Sequence, residues 1–278
     1  MTEEATAFVP GHVTGFFSSH PDDDPTKAGS RGAGLALTDG VEVTARRADD
    51  PDVTLDGERV EIDAVGVVLD ALSARDRVAV EVASDLPLGT GFGVSGAAAL
   101  GTALAGNAVL ERNLSENELV TVAHGAEVQA GTGLGDVVAQ ARGGVPVRLE
   151  PGAPGHGYLD GVPARGRVEY LAFGELSTES VLSGDTDRLT AAGREALSRL
   201  VAEPTLPRFM YASRRFAREA GLLTERVRET VREVSEAGGE ASMAMLGETV
   251  FALGTGLTDA GYDAAACEIH HAGASLVE

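Results

Sequence analysis

Residues Pro87 to Leu100 read P-L-G-T-G-F-G-V-S-G-A-A-A-L, a glycine-rich turn that runs straight into an alanine-rich helix. No other stretch restricts the fold as strongly. Glycine lets the backbone take positive φ and approach a ligand with no Cβ in the way, and the first turn of a helix offers unpaired N–H groups and a partial positive charge. Such a turn suits an anion, phosphate before others, or else serves only close packing.

The same residues contain Gly91-x-Gly93-x-x-Gly96, which also fits the dinucleotide fingerprint. That fold needs a strand leading directly into the glycines, then a helix, then a strand ending in an acid. Here Val78, Val80 and Val82 mark a strand, but Asp85 to Gly89 separate it from the turn. Beyond the helix, Ser115-Glu116-Asn117-Glu118 is a capping box that starts another helix. A P-loop is excluded because no lysine follows the glycines.

Acid outweighs base, 43 Asp plus Glu against 22 Lys plus Arg, and the excess is spread along the chain. With 43% apolar residues the chain folds rather than staying disordered. Its surface repels nucleic acid and anionic membranes, and suits concentrated salt. With neither a leader pattern nor a membrane-length apolar run, a cytoplasmic protein is expected. Cys267 is the single cysteine, so no internal disulfide or cysteine metal cluster forms. Lys27 is the single lysine and stands beside Gly29-Ser30-Arg31-Gly32. It is either a surface residue left by chance or, with Arg31, part of a cationic pocket.

The pattern predicts a short strand at 7–9 broken by Pro10-Gly11, then strands near 34–37, 41–45 and 53–62, a helix at 64–73 and a strand at 77–83. Helices follow at about 95–111 and 116–130. The second half opens at the Pro/Gly-rich stretch from Pro151 to Gly157 and carries a strand at 168–173, helices at 186–201, 209–220 and 224–237, and a strand pair at 242–246 and 249–253. Two α+β domains are expected, 1–155 and 156–278. His270 and His271 are expected in a solvated tail.

Leu119, Ala123 and Glu127 follow at i, i+4 and i+8, which places a carboxylate on an apolar helix face. Burial there demands a partner, an arginine or a magnesium ion shared with phosphate. Asp136 closes a second glycine loop, Gly131-Thr132-Gly133-Leu134-Gly135, at the start of a short helix. It is an N-cap, or a carboxylate kept ionised for catalysis. Two glycine loops, a buried acid and a poised acid together resemble a phosphoryl-transfer site.

Pro87-x-x-x-Gly91-Phe92-Gly93-Val94-Ser95-Gly96-Ala97-Ala98 resembles the second motif of the GHMP kinases, P-x-x-x-G-L-G-S-S-A-A. The opening Pro10-Gly11-His12-Val13-Thr14-Gly15-Phe16-Phe17 resembles the first motif. The loop from Gly131 to Asp136, followed by Gly143-Gly144, resembles the segment carrying the catalytic acid. Within that family the first motif, the glycines at 29–34 and the stretch from Gly131 to Gln140 are similar to the archaeal pantoate kinases.

The resemblance implies a two-domain GHMP fold, with an N-terminal ribosomal protein S5 domain 2-like half and a C-terminal ferredoxin-like α+β half that closes the cleft. It implies transfer of the γ-phosphate of ATP to the 4-hydroxyl of (R)-pantoate, toward coenzyme A, with Mg2+ as cofactor in a halophilic archaeal protein. Another small alcohol, such as mevalonate, shikimate or homoserine, is the alternative acceptor; a non-catalytic nucleotide-binding protein is the alternative class. The partners implied are pantoate and ATP, with neither nucleic acid nor membrane, and a homodimer as an option.

Carried over, the phosphate loop comprises Pro87, Gly89, Thr90, Gly91, Phe92, Gly93, Val94, Ser95, Gly96 and Ala97. Ser95 and Glu127 contact magnesium, and Asp136 is the catalytic acid. His12 replaces the lysine of many relatives and is assigned to catalysis or to substrate. Lys27, Ser30 and Arg31 join it as candidates for the substrate carboxylate. The third motif is reduced to the stretch from Ala241 to Thr249.

Overall fold

The computed structural model describes residues 3–175 and 186–277. Two long antiparallel strands, β1 (Glu4–His20) and β2 (Gly29–Arg47), form the spine of an eight-stranded sheet. Outward from β2 lie β5 (Val78–Ser84), then β3 (Val53–Leu55) and β4 (Glu58–Arg59), while β6 (Pro146–Glu150) and β7 (Tyr158–Gly161) pair beside the other end of β2. Helix α1 (Asp63–Ala71) precedes β5; α2 (Val94–Leu110), α3 (Glu116–Ala130) and α4 (Asp136–Arg142) follow it.

Helix α2 is buried on almost every side. Its run of Gly96, Ala97, Ala98, Ala99, Leu100 and Gly101 is buried, which is why small residues dominate it: bulk would hold the helix away from β1 and β2. Helix α3 starts at the predicted capping box, with Ser115 accepting from the Glu118 amide and the Glu118 carboxylate receiving the Ser115 amide at 2.8 Å.

A second sheet of four antiparallel strands has the order β11, β8, β10, β9, formed by β8 (Arg167–Glu175), β9 (Glu240–Ala244), β10 (Gly247–Leu253) and β11 (Ala265–Glu268). Helix α5 (Thr186–Ala202) packs on β1 and β2 of the first sheet, α6 (Leu206–Glu219) bridges β1 and β9, and α7 (Glu225–Glu236) and the short α8 (Gly256–Asp259) pack on the second sheet. Phe16 on β1, Phe209 on α6 and Phe251 on β10 form a chain of rings at 6.1 Å spacing that joins the two sheets. This seam holds the site.

Four local expectations need correction. Pro10-Gly11 does not break a strand; it is a register shift inside β1, where a bulge removes the need for a proline N–H. The strands expected at 34–37 and 41–45 are one element, β2. The strand expected at 53–62 is two, turned by Asp56-Gly57 with both residues at positive φ. The end of the chain is not a solvated tail: the His270 amide donates to Ala36 O at 2.9 Å, the His270 ring meets Phe8 edge-on, and β12 (Ser275–Val277) pairs with β1.

Candidate active site

A cavity of about 320 Å³ opens where the glycine turn, the starts of α2 and α4 and the β9–β10 turn converge. Gly93 is the N-cap of α2 at φ 65°, and no side chain caps the helix. The left-handed conformation turns the chain sharply into the helix, and its first amides have no side-chain acceptor. Gly89, Gly91, Gly93, Val94, Ser95 and Gly96 all line the cavity. Thr90, Phe92 and Ala97 are buried behind it, whereas Pro87 is exposed at the start of the turn; Phe92 packs against Tyr170 of β8, ring centroids 4.9 Å apart.

Glu127 reaches the cavity from α3 and is 3% exposed. Among the described residues no arginine pairs with it. Its Oε1 accepts from the Ser95 hydroxyl at 2.6 Å and the Thr132 hydroxyl at 2.8 Å. Burial pushes its carboxyl up to about 7, against the pull of those two hydroxyls. Two neutral donors do not balance a buried charge, so the group calls for a cation from outside the chain.

Asp136, the first residue of α4, lines the same cavity close to Glu127, both carboxylates flanking Gly133. It is not a cap, since Gly135 takes that place without any side-chain hydrogen bond. His12 Nδ1 lies 2.6 Å from Asp136 Oδ1. Burial alone would raise the Asp136 carboxyl, but the His12 hydrogen bond, with Arg148 and Thr14, holds it below the ordinary value. Burial lowers the His12 imidazole against the pull of Asp136; since a carboxylate oxygen only accepts, the hydrogen of this contact is on Nδ1, and Nε2 is buried with no hydrogen-bond partner among the described residues. His12 is fully enclosed and is not part of the cavity wall; Thr14, two residues along the same strand, is.

Arg148 on β6 completes the site, and no motif pointed to it. It is 2% exposed and lines the cavity, yet its Nε and Nη1 have no hydrogen-bond partner among the described residues. The neighbouring Val147 and Leu149 make this a plain apolar strand in sequence; the only signal was a cation inside such a run. Ser30 also reaches the cavity. Lys27 does not: half-exposed, it pairs with Asp24 at 3.3 Å. Arg31 pairs with Glu150 away from the cavity wall.

Among the described residues, no three His, Cys, Asp or Glu side chains gather as a self-contained metal site, and no helix is long and apolar enough to cross a membrane. A glycine cradle, a buried acid in need of a cation, an ionised acid and an unpaired guanidinium facing one space suit the transfer of a phosphoryl group to an acidic acceptor.

Comparisons with known proteins agree. Residues 61–144 match the family described as GHMP kinases N terminal domain. The chain is 38% identical over 263 residues to a pantoate kinase of Thermococcus kodakarensis, covering 89% of this chain and 86% of the relative. It is 37% identical over 258 residues to a pantoate kinase of Methanospirillum hungatei, covering 90% and 87%. A solved structure described as a phosphotransferase related to the CoA biosynthesis pathway superposes with a TM-score of 0.90 at 33% identity, covering 99% of this chain and 98% of that one.

Proposed function

The chain belongs to the pantoate kinases of the GHMP kinase family, and from that membership we propose that it transfers the γ-phosphate of ATP to the 4-hydroxyl of (R)-pantoate on the way to coenzyme A. The observation that carries this reading is the meeting of Glu127, Asp136 and unpaired Arg148 around one cavity walled by the glycine turn.

The amides at the start of α2 receive the phosphates of ATP. Ser95 and Glu127 are the residues that would hold magnesium, whose chemistry there is to neutralise charge on the phosphates; an uncompensated buried carboxylate fits that role. Asp136 accepts the hydrogen bond of the attacking hydroxyl and takes its proton as the new P–O bond forms, and the β–γ bridging oxygen leaves with ADP. His12 holds Asp136 in place through its Nδ1–H. It takes no part in binding the acceptor, being closed off from the cavity.

Arg148 binds the pantoate carboxylate, with Ser30 beside it. A guanidinium buried without a partner is costly until an anion arrives, whereas Lys27 and Arg31 are already paired elsewhere. We keep the division at residue 155, the homodimer, the cytoplasm and a salt-rich interior as parts of the same proposal; the acidic surface supports the last of these.

The test is a panel of pantoate, mevalonate, shikimate and homoserine with ATP and magnesium in high salt, followed by phosphorus NMR of the product. A phosphate ester on pantoate carbon 4 is expected. Turnover of another alcohol with pantoate untouched would remove the acceptor assignment, and no turnover of any would remove the kinase.

A further inference from the structure

The phosphate loop has its carbonyls tied back into the protein. Thr90 O accepts from the Thr249 hydroxyl of β10 at 2.8 Å. Phe92 O accepts from the His12 amide of β1 at 2.9 Å. Gly93 O accepts from Gln140 Nε2 of α4 at 2.9 Å, besides the Ala97 amide of its own helix. In a trans peptide a carbonyl and the next residue's N–H point in opposite directions. Anchoring Thr90, Phe92 and Gly93 by their oxygens therefore turns the N–H groups of Gly91, Gly93 and Val94 the other way. Those three residues line the cavity.

Two of the anchors are side chains from opposite flanks, and both are fully buried. Gln140 stands one helical turn beyond Asp136, so it joins the segment carrying the acid to the segment carrying the phosphate amides. Its orientation is unambiguous, because a carbonyl only accepts and the amide nitrogen must face Gly93. The outcome leaves Gln140 Oε1 buried with no partner, an unfavourable feature that the fold tolerates. Thr249 reaches the loop from the second sheet. A Cβ on Gly247 would lie 1.8 Å from Thr90 O, so the β9–β10 turn presses main chain against main chain there.

We infer that Gln140 and Thr249 are positioning residues that hold the loop with its amides facing the nucleotide. The reduced third motif thus retains a function: Thr249, its last residue, is the anchor. The inference rests on the reading of this cavity as a nucleotide site, and it makes the second sheet part of ATP binding.

Thr249→Val and Gln140→Met keep the volume of each side chain and remove its hydrogen bond. Calorimetric titration with ATP and magnesium, set beside the steady-state constants, decides the matter. Each variant is expected to bind ATP about tenfold more weakly, as for a lost buried hydrogen bond, with the pantoate KM within about twofold of wild type. Thr249→Ser, which keeps the hydroxyl, should restore ATP affinity. Unchanged ATP affinity in a variant that only melts earlier would overturn the inference, as would an equal rise in the pantoate KM. If one variant does not fold, the other decides. Failure of the wild-type chain to bind ATP would instead remove the kinase reading, and this inference with it.

Discussion

His12 Nδ1 and Asp136 Oδ1, 124 residues apart in sequence, are 2.6 Å apart across the seam between β1 and α4. The imidazole is enclosed and the carboxylate is at the cavity wall, which under the proposed function makes His12 the orienting residue and Asp136 the one that meets the acceptor. Replacing His12 with leucine is expected to lower kcat about 10- to 100-fold and to shift the acid limb of the pH profile upward, because Asp136 loses a favourable donor. ATP affinity should stay as in wild type. An unmoved acid limb in steady-state pH profiles would show that His12 does not tune Asp136.

Asp136→Asn keeps the size of the side chain and abolishes its charge. Turnover is expected to fall about 10²- to 10⁴-fold, the range for a lost general base. Calorimetry should find ATP binding intact, since the proposed function assigns the phosphates to the α2 amides and not to Asp136. Near-normal turnover in this variant would exclude the proposed role.

Arg148→Leu separates stability from function. Loss of a charge-assisted hydrogen bond should raise the pantoate KM about 10- to 100-fold. The empty protein should nevertheless melt at a higher temperature, because a buried cation without hydrogen-bond partners is replaced by apolar bulk. A thermal scan and a pantoate titration check both halves. A lower melting temperature with an unchanged KM would mean that Arg148 is a structural ion.

Glu127 should make the chelated protein sensitive to pH. Its folded value, about 7, is above that of a free carboxyl, so the folded state keeps a proton that the unfolded chain has lost. That contribution is fully present below about pH 4.5 and is lost as pH rises through about 7. In EDTA, unfolding free energy should therefore decline by roughly 1 to 3 kcal/mol between pH 5 and 8 relative to Glu127→Gln. Identical pH slopes for the two proteins in denaturant titrations would refute this. Magnesium should reverse the decline, since it favours the ionised carboxylate.

Glu169 contributes in the opposite direction, far from the cavity. It is buried and receives the Leu257 and Thr258 amides at 3.1 and 3.0 Å and the Thr258 hydroxyl at 2.8 Å, closing the start of α8. Burial alone would raise its carboxyl, but the Thr258 and Arg167 hydrogen bonds hold it below the ordinary value. Its stabilisation is present above that ordinary value and lost as pH falls through the lower folded one. Glu169→Ala should cost about 2 to 4 kcal/mol by leaving two amides unpaired, with the pantoate and ATP KM values unchanged. Denaturant unfolding together with steady-state kinetics tests it.

Much of the local structure was legible because it depends on neighbours in sequence. The Ser115 to Glu118 capping box, the α2 glycines and the apolar face bearing Glu127 each depend on contacts within a few residues, and periodicity or spacing exposes such contacts. The long strands were harder. Pro10-Gly11 looked like a break because pairing partners 30 residues away, which absorb the irregularity as a bulge, leave no trace in the local pattern.

The chain's own order of residues determined that a glycine turn would precede an alanine-rich helix, that Glu127 would be buried and that Asp136 would open a helix. Each follows from backbone sterics or from a 3.6-residue period. Only the tertiary structure decided which cation faces the cavity. Lys27 and Arg31 stand beside the right glycines but pair with acids elsewhere, whereas Arg148, on an unremarkable strand, is buried in the cavity wall with Nε and Nη1 lacking hydrogen-bond partners among the described residues. The reason is physical: a charge acquires its role from the dielectric and the counter-charges around it, and those are assembled from segments that sequence alone keeps far apart.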